Sequence, residues 1–260
     1  MYYSHIKIAE HKLVVSSYST KIVNLVKENF MDEINEDIKP NLSVHIDDGY
    51  GIPFNGYEVS ITKTKEYISF KRSDYIIRID NLYRNAMIWV HDELALKHAL
   101  MNLYSSFIVY HNWGILLHSS CVIDNDNAHI FSGHSGAGKS TAARLSSPRE
   151  LLSDEASIIK ISPDSVTVFD SPFRSELNSK CINTSFELGS IQLLHQSLKN
   201  KREQIQKSNS MLHLMDKVFY WDDSPKETTK IFHLLHYLVH QVPIYDLHFQ
   251  KNNTFWEMIS

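Results

Sequence analysis

Residues 133–140 read Gly133-His134-Ser135-Gly136-Ala137-Gly138-Lys139-Ser140, a complete G-x-x-x-x-G-K-S run. Its flanks narrow the fold further. The apolar stretch 128–132 reads as a short buried strand, and 141–145 as the first turns of a helix. Strand, glycine-rich turn and helix is the setting in which this run cradles a polyphosphate. The glycines let successive backbone N–H groups turn inward, and a helix N-terminus adds partial positive charge. The expected contacts run from Gly133 through His134, Ser135, Gly136, Ala137, Gly138, Lys139 and Ser140 to Thr141, around ATP. Lys139 is expected to reach the β and γ phosphates and Ser140 to hold Mg²⁺.

At 260 residues the chain has room for one large domain or two small ones. A hydrophobic share of 43% is enough for a real core, and no stretch approaches the roughly 20 apolar residues needed to span a bilayer. The start lacks a basic segment followed by an apolar run, so no secretory signal is expected. A net charge of −4 argues against non-specific nucleic-acid binding. Cys121 and Cys181 are the only cysteines; Cys121 falls in an apolar strand, and neither a disulfide scaffold nor a zinc site is indicated, which fits a cytoplasmic protein. Among fifteen histidines, His233, His236 and His240 recur at helical spacing, but leucines fill the same helix and no second cluster supports a metal, so they read as surface or interface histidines.

The first 92 residues form one organisational block. Segments 42–46, 58–61, 67–70, 75–79 and 86–90 alternate apolar and polar residues between turn signals, and 22–30 has a helical pattern. This predicts a β-rich, mainly antiparallel N-terminal module over 1–92, followed by a phosphate-loop core over 93–260. In the core a helix is expected over 93–110, with Leu94, Leu96, Leu100, Leu103 and Phe107 on one side and Asp92 as N-cap. Strand 115–123 and the polar turn 124–127 then make a hairpin into the phosphate-loop strand, unlike the usual parallel βαβ start. Further on, the pattern predicts a hairpin around Pro163 and Asp164, a strand over 190–195, and a helix plus a mobile stretch within 197–219. A C-terminal helix over 226–240 and an edge strand over 242–249 complete it, Pro243 being unable to donate to a central ladder.

Holding phosphate does not break a phosphoryl bond; a metal and a positioned nucleophile are also needed. Asp154 and Glu155 follow Lys139 by 15 and 16 residues. A core strand at Leu151 and Leu152 would deliver one carboxylate to Mg²⁺ beside Ser140 and the other to an acceptor hydroxyl. His118 interrupts the apolar run 115–123, next to the phosphate-loop strand, where an imidazole can meet a carboxylate or a phosphoryl oxygen. Arg174 is a candidate to reach the transferred phosphate or the acceptor.

Taken together, His118, the loop 133–141 and Ser153-Asp154-Glu155 resemble the C-terminal catalytic core of the HPr serine kinase/phosphorylase family over residues 105–180. The resemblance implies a small phosphate-loop α/β core that phosphorylates a protein serine, with His118, Asp154 and Glu155 in the family's site positions. Glu155 stands where the family pattern usually has a second aspartate. Residues 116–120, 152–155, 171–173 and 242–247 are similar to the branch that modifies ribosomal peptides, including lasso-peptide kinases, whose acceptor is a precursor-peptide serine. The long glycine-containing segment associated with phosphorolysis is missing, and residues 1–90 do not match the regulatory domain of the sugar-responsive enzymes. Homo-oligomerisation is implied by the resemblance alone.

The resulting expectation is an ATP- and Mg²⁺-dependent serine kinase acting on a precursor peptide, with no nucleic-acid or membrane partner. In it Asp154 is the base, His118 assists, and Lys139 and Arg174 offset charge. An HPr-like protein kinase, a small-molecule kinase or nucleotide hydrolase, and an ATP-switched peptide-binding module are the alternatives.

Overall fold

The computed structural model describes residues 1–32, 39–175, 184–221 and 224–260; Cys181 lies outside them. The protein is a mixed α/β chain that divides into two compact units, Met1–Phe107 and Ile108–Ser260.

Among the described residues, unit one contains strands β1 (Tyr2–Ile8) and β2 (His11–Ser17), helix α1 (Thr20–Asn29), and strands β3 (Met31–Asp32), β4 (Leu42–Asp47), β5 (Ser60–Lys63), β6 (Tyr67–Lys71), β7 (Tyr75–Asp80) and β8 (Asn85–Val90). They form one eight-stranded sheet in the order β3-β1-β2-β4-β8-β7-β6-β5. The β2–β4 and β4–β8 pairs are parallel and the other pairs antiparallel, so the module is mainly antiparallel, as the patterning predicts. Alternation decides which face is inward. Ile6 and Ile8, Leu13 and Val15, Leu42, Val44 and Ile46, and Ile77 and Ile79 are buried on one side. The β1–β2 hairpin extends the module beyond the expected strands. Its alternation is short and its turn rests on Ala9 at positive φ, a position with no Gly or Asn to signal it.

Helix α2 (Glu93–Tyr110) starts as expected: the Asp92 carboxylate accepts from Ala95 N at 2.9 Å. Its predicted single apolar side is not what forms. Leu94 is exposed, whereas residues 99–109 are buried all round, Asn102, Ser105 and Ser106 included. The unit division falls near the end of this helix rather than before it at 92/93. The reason is side-chain anchoring: Tyr104 Oη donates to Ile8 O at 3.1 Å and Asn102 Nδ2 to Tyr75 Oη at 3.0 Å.

Unit two, among its described residues, contains β9 (Gly114–Asp124), β10 (Asn127–Ser132), α3 (Lys139–Leu145), β11 (Leu151–Ser153), β12 (Ala156–Ile161), β13 (Val166–Phe169), β14 (Ser185–Gln196), β15 (Lys201–Gln204), α4 (Lys207–Met215), α5 (Pro225–Gln241) and β16 (Ile244–Phe249), then a short 3-10 turn (Asn253–Met258). Strands β10-β9-β12-β13-β14 close into a five-stranded barrel through a parallel β10–β14 pair, and β16 and β15 continue outward from β14. The β9–β10 hairpin turns on Asn125 and Asp126, both at positive φ, in the manner of a two-residue primed turn.

Strand β16 is not the edge expected from Pro243. It lies between β14, which it pairs in parallel, and β15, which pairs it antiparallel. Pro243 precedes the strand and contributes only its carbonyl, to Ile191 N at 3.1 Å, so the missing N–H costs nothing. The stretch 197–219 holds the expected helix, as α4, and has strand β15 in place of the expected mobile chain. Apolar β9, β10, β12, β13 and β14 side chains pack with Ile231, Leu234, Leu235 and Leu238 of α5. A second cluster sets α3 in place: Ala137 and Ala142 pack with Phe131, Leu194, Leu247, Phe249, Phe255 and Trp256. Each fully buried large apolar side chain there contributes on the order of 1.5–3 kcal/mol.

Candidate functional site

The end of β10 delivers the chain into the 133–140 loop, and every glycine of the motif has a steric reason. A Cβ on Gly133 would sit 2.7 Å from Ala137 Cβ. Gly136 and Gly138 hold φ of +80° and +110°, and a Cβ on Gly138 would also meet the Phe249 ring at 2.7 Å. Gln196 at the end of β14 donates to Gly136 O at 2.7 Å and pins the loop. Lys139 Nζ donates to Gly133 O at 3.1 Å and His134 O at 3.2 Å, so the ammonium lies along the loop's inner edge. The Ser120 hydroxyl reaches Lys139 O at 3.1 Å, tying β9 to the first turn of α3.

On the other side of the cleft, β11 ends in the Asp154–Glu155 turn before β12 begins. β11 pairs with β9 at Val122 and Cys121, and β12 pairs Ala156 with His118. That register brings the acidic turn to the middle of β9, where Ser119 N bonds Glu155 O at 3.1 Å. Asp154 is buried, and its carboxylate accepts from Ser175 N at 3.0 Å and Ser175 Oγ at 2.9 Å. A carboxylate has room for further donors beyond these two.

His118 completes the cleft. Its Nδ1 is buried and has no hydrogen-bonding partner among the described residues. Burial, then the charges of Lys139 and Lys217, push its pKa down to about 4, so the ring is neutral near pH 7. Burial and then Lys217 also lower the Lys139 pKa. The cleft, about 380 Å³, is lined by His118, Asp154, Glu155, Ser175, Gln196 and the loop residues Ser135, Gly136, Gly138, Lys139, Ser140 and Thr141.

The structure therefore gathers His118, Lys139, Ser140, Asp154 and Glu155 around one space. Arg174 is not among the lining residues. Its guanidinium donates to the Asp170 carboxylate and, at 3.1 Å, to Leu152 O, two residues before Asp154. It holds the strand that carries the acidic turn. His134 is exposed and contributes its carbonyl to the loop; Gly133 and Ala137 are buried beneath it. Ser175 and Gln196 are additional lining residues. Both reach the site through tertiary folding, and Lys217, outside the lining, bears on His118 and Lys139 by its charge. Among the described residues no cluster of three or more His, Cys, Asp or Glu is placed to hold a metal. A Mg²⁺ shared with phosphates asks less of the protein: one or two carboxylates and a loop hydroxyl suffice, and Ser140, Asp154 and Glu155 fit that donor set. His233, His236 and His240 are exposed on α5, and Cys121 is fully buried.

A family model described as SynChlorMet cassette protein ScmC matches residues 77–260. The chain belongs to the ScmC family. The ScmC match starts within β7 and takes in β8, α2 and all of unit two, so every lining residue of the cleft falls inside it. Curated proteins give no match to this ScmC member. No helix of the described residues is long and apolar enough to cross a membrane.

Proposed function

We propose that the chain is an ATP- and Mg²⁺-dependent kinase that phosphorylates a serine hydroxyl of a precursor peptide, on a core like that of the HPr serine kinase family. The observation that carries this reading is the shared cleft. A phosphate loop with its lysine faces a buried carboxylate and a neutral imidazole whose Nδ1 has no hydrogen-bonding partner among the described residues. A loop that only holds a nucleotide as a switch has no need of that second wall.

In this reading the loop amides and Lys139 hold the β and γ phosphates, and the acceptor hydroxyl enters between the γ-phosphate and Asp154. The hydroxyl oxygen bonds to the γ-phosphorus while the bond from that phosphorus to the β–γ bridging oxygen breaks, its electron pair leaving with ADP. The hydroxyl proton passes to Asp154. A serine hydroxyl is too weak an acid to lose its proton early, so orientation and late transfer matter more than base strength. Ser175 fixes the Asp154 rotamer through its two hydrogen bonds. Neutral His118 offers Nδ1 to the acceptor or to a phosphoryl oxygen, according to its tautomer. Bound Mg²⁺, held by Ser140 with Asp154 or Glu155, would supply positive charge to the phosphoryl oxygens. Arg174 acts through the β11 backbone as a positioning residue. Self-association belongs to the same reading, by resemblance.

The test is incubation of the full chain with γ-labelled ATP, Mg²⁺ and serine-bearing peptides, including the product of any short reading frame adjacent to its gene, followed by fragmentation. Label on a serine is the expected result. ATP consumed with label only in inorganic phosphate would make the protein a hydrolase instead.

A further inference from the structure

Resting on that reading, we infer that Lys217 is a second phosphate-directed cation, which turns from Asp216 to contact the γ-phosphoryl group beside His118. Strand β9 is paired with β10 only from Ser119 onward. Below that point the segment after α4 takes over the same edge: His118 N bonds Lys217 O at 2.7 Å, Phe219 N bonds Leu116 O at 2.8 Å, and Leu117 bridges Val218 antiparallel. In this register Lys217 stands directly opposite His118, and directly opposed residues project their side chains to the same face. The ring contact between His118 and Phe219, with centroids 5.2 Å apart and nearly perpendicular, follows from the same arrangement. Lys217 therefore shares the sheet face of His118, a lining residue of the cleft, without itself lining the cleft.

The charge relations agree with the geometry. The Lys217 charge is among those that act on His118, so the ammonium lies within electrostatic reach of the ring. Lys139 acts on the same ring, whose Nδ1 has no hydrogen-bonding partner among the described residues, so two cations and an open ring nitrogen are available to a phosphoryl group that enters here. The Lys217 side chain is largely covered, but its Nζ partner is Asp216 at 2.5 Å, a carboxylate on an exposed side chain. Such a solvent-exposed partner is held weakly and gives way readily to a phosphoryl group. Lys217 makes and breaks no covalent bond; it donates hydrogen bonds to the γ-phosphoryl oxygens, more strongly as charge shifts in transfer.

The experiment compares binding of ADP and of a non-hydrolysable ATP analogue, each with Mg²⁺, to the full chain, K217M and K217R by calorimetry. The expected result is that K217M loses about tenfold in affinity for the triphosphate, the size of one charge-assisted contact, while ADP binding stays within about twofold. K217R should retain most of the discrimination. In the same samples the His118 imidazole should titrate upward in K217M, which reports the shared face even where binding is weak. Unchanged triphosphate binding in K217M would overturn the inference and leave the kinase reading standing. Failure of the unmodified chain to bind either nucleotide would remove the phosphate-loop reading and this proposal with it.

Discussion

His98 in the first unit and His118 in the second are both held down to about 4, burial being the largest cause and neighbouring cations the next. Their settings differ in one respect. Around His98 the nearest cation is paired: Arg72 donates to His98 Nδ1 at 2.8 Å and forms a two-pronged pair with Asp74 at 2.6 and 2.8 Å. The guanidinium also lies against the rings of Phe54 and Tyr75, at 4.8 and 4.4 Å from their centroids. Around His118 two lysines stand beside an imidazole whose Nδ1 is unpartnered, and the buried carboxylate nearby is engaged by Ser175. The first cluster is internally balanced and holds a fold together. The second places Lys139, Asp154 and Glu155 together on the lining of an open cleft, where a ligand can reach them.

The largest effect expected from breaking this contrast is at the balanced cluster. Asp74→Ala strands the buried Arg72 charge and should destabilise the chain by about 3–5 kcal/mol in denaturant titrations. Phosphoryl transfer per folded molecule should be unchanged. At the cleft, Asp154→Asn should do the opposite: transfer falls on the order of a thousandfold while nucleotide affinity stays within about twofold, as single-turnover and binding measurements would show. Next comes Gly138→Ala. The left-handed backbone costs roughly 1–2 kcal/mol for an L side chain, and the added methyl meets Phe249. Weakened nucleotide binding with a modest drop in melting temperature is expected.

The smallest effect concerns pH. Both histidines have folded pKa values below the usual 6.5, so as pH falls the unfolded chain takes up their protons first. Their contribution to stability is therefore complete above about pH 6.5 and is lost as pH falls toward 4. His118→Asn should flatten the decline of melting temperature between pH 7 and 5 and leave the pH 7 value little changed. A steeper decline would mean that His118 is protonated in the folded chain.

The legible parts were those where a local pattern carries its own steric meaning. The loop glycines, the Asp92 cap, the Asn125–Asp126 turn and the alternating strands of the first unit each announce a backbone conformation. His118 and Asp154 were readable as polar residues at the ends or centres of apolar strands, which need a reason to be there. Long-range pairing was not. Pro243 suggests an edge strand only if it lies inside the strand, and it lies just before it. Arg174 carries no sign that Asp170, four residues away, would hold it. Lys217 becomes visible only once the chain after α4 is laid along β9, because no local motif marks it as the residue opposite His118.

The most direct test is a crystal structure of the full chain with Mg²⁺ and a non-hydrolysable ATP analogue. The triphosphate should lie in the 133–141 loop with its γ-phosphate within hydrogen-bonding distance of Lys139 and facing Asp154 across a gap that fits one hydroxyl. A nucleotide bound elsewhere, or a γ-phosphate turned away from Asp154 with no space for an acceptor between them, would contradict the account.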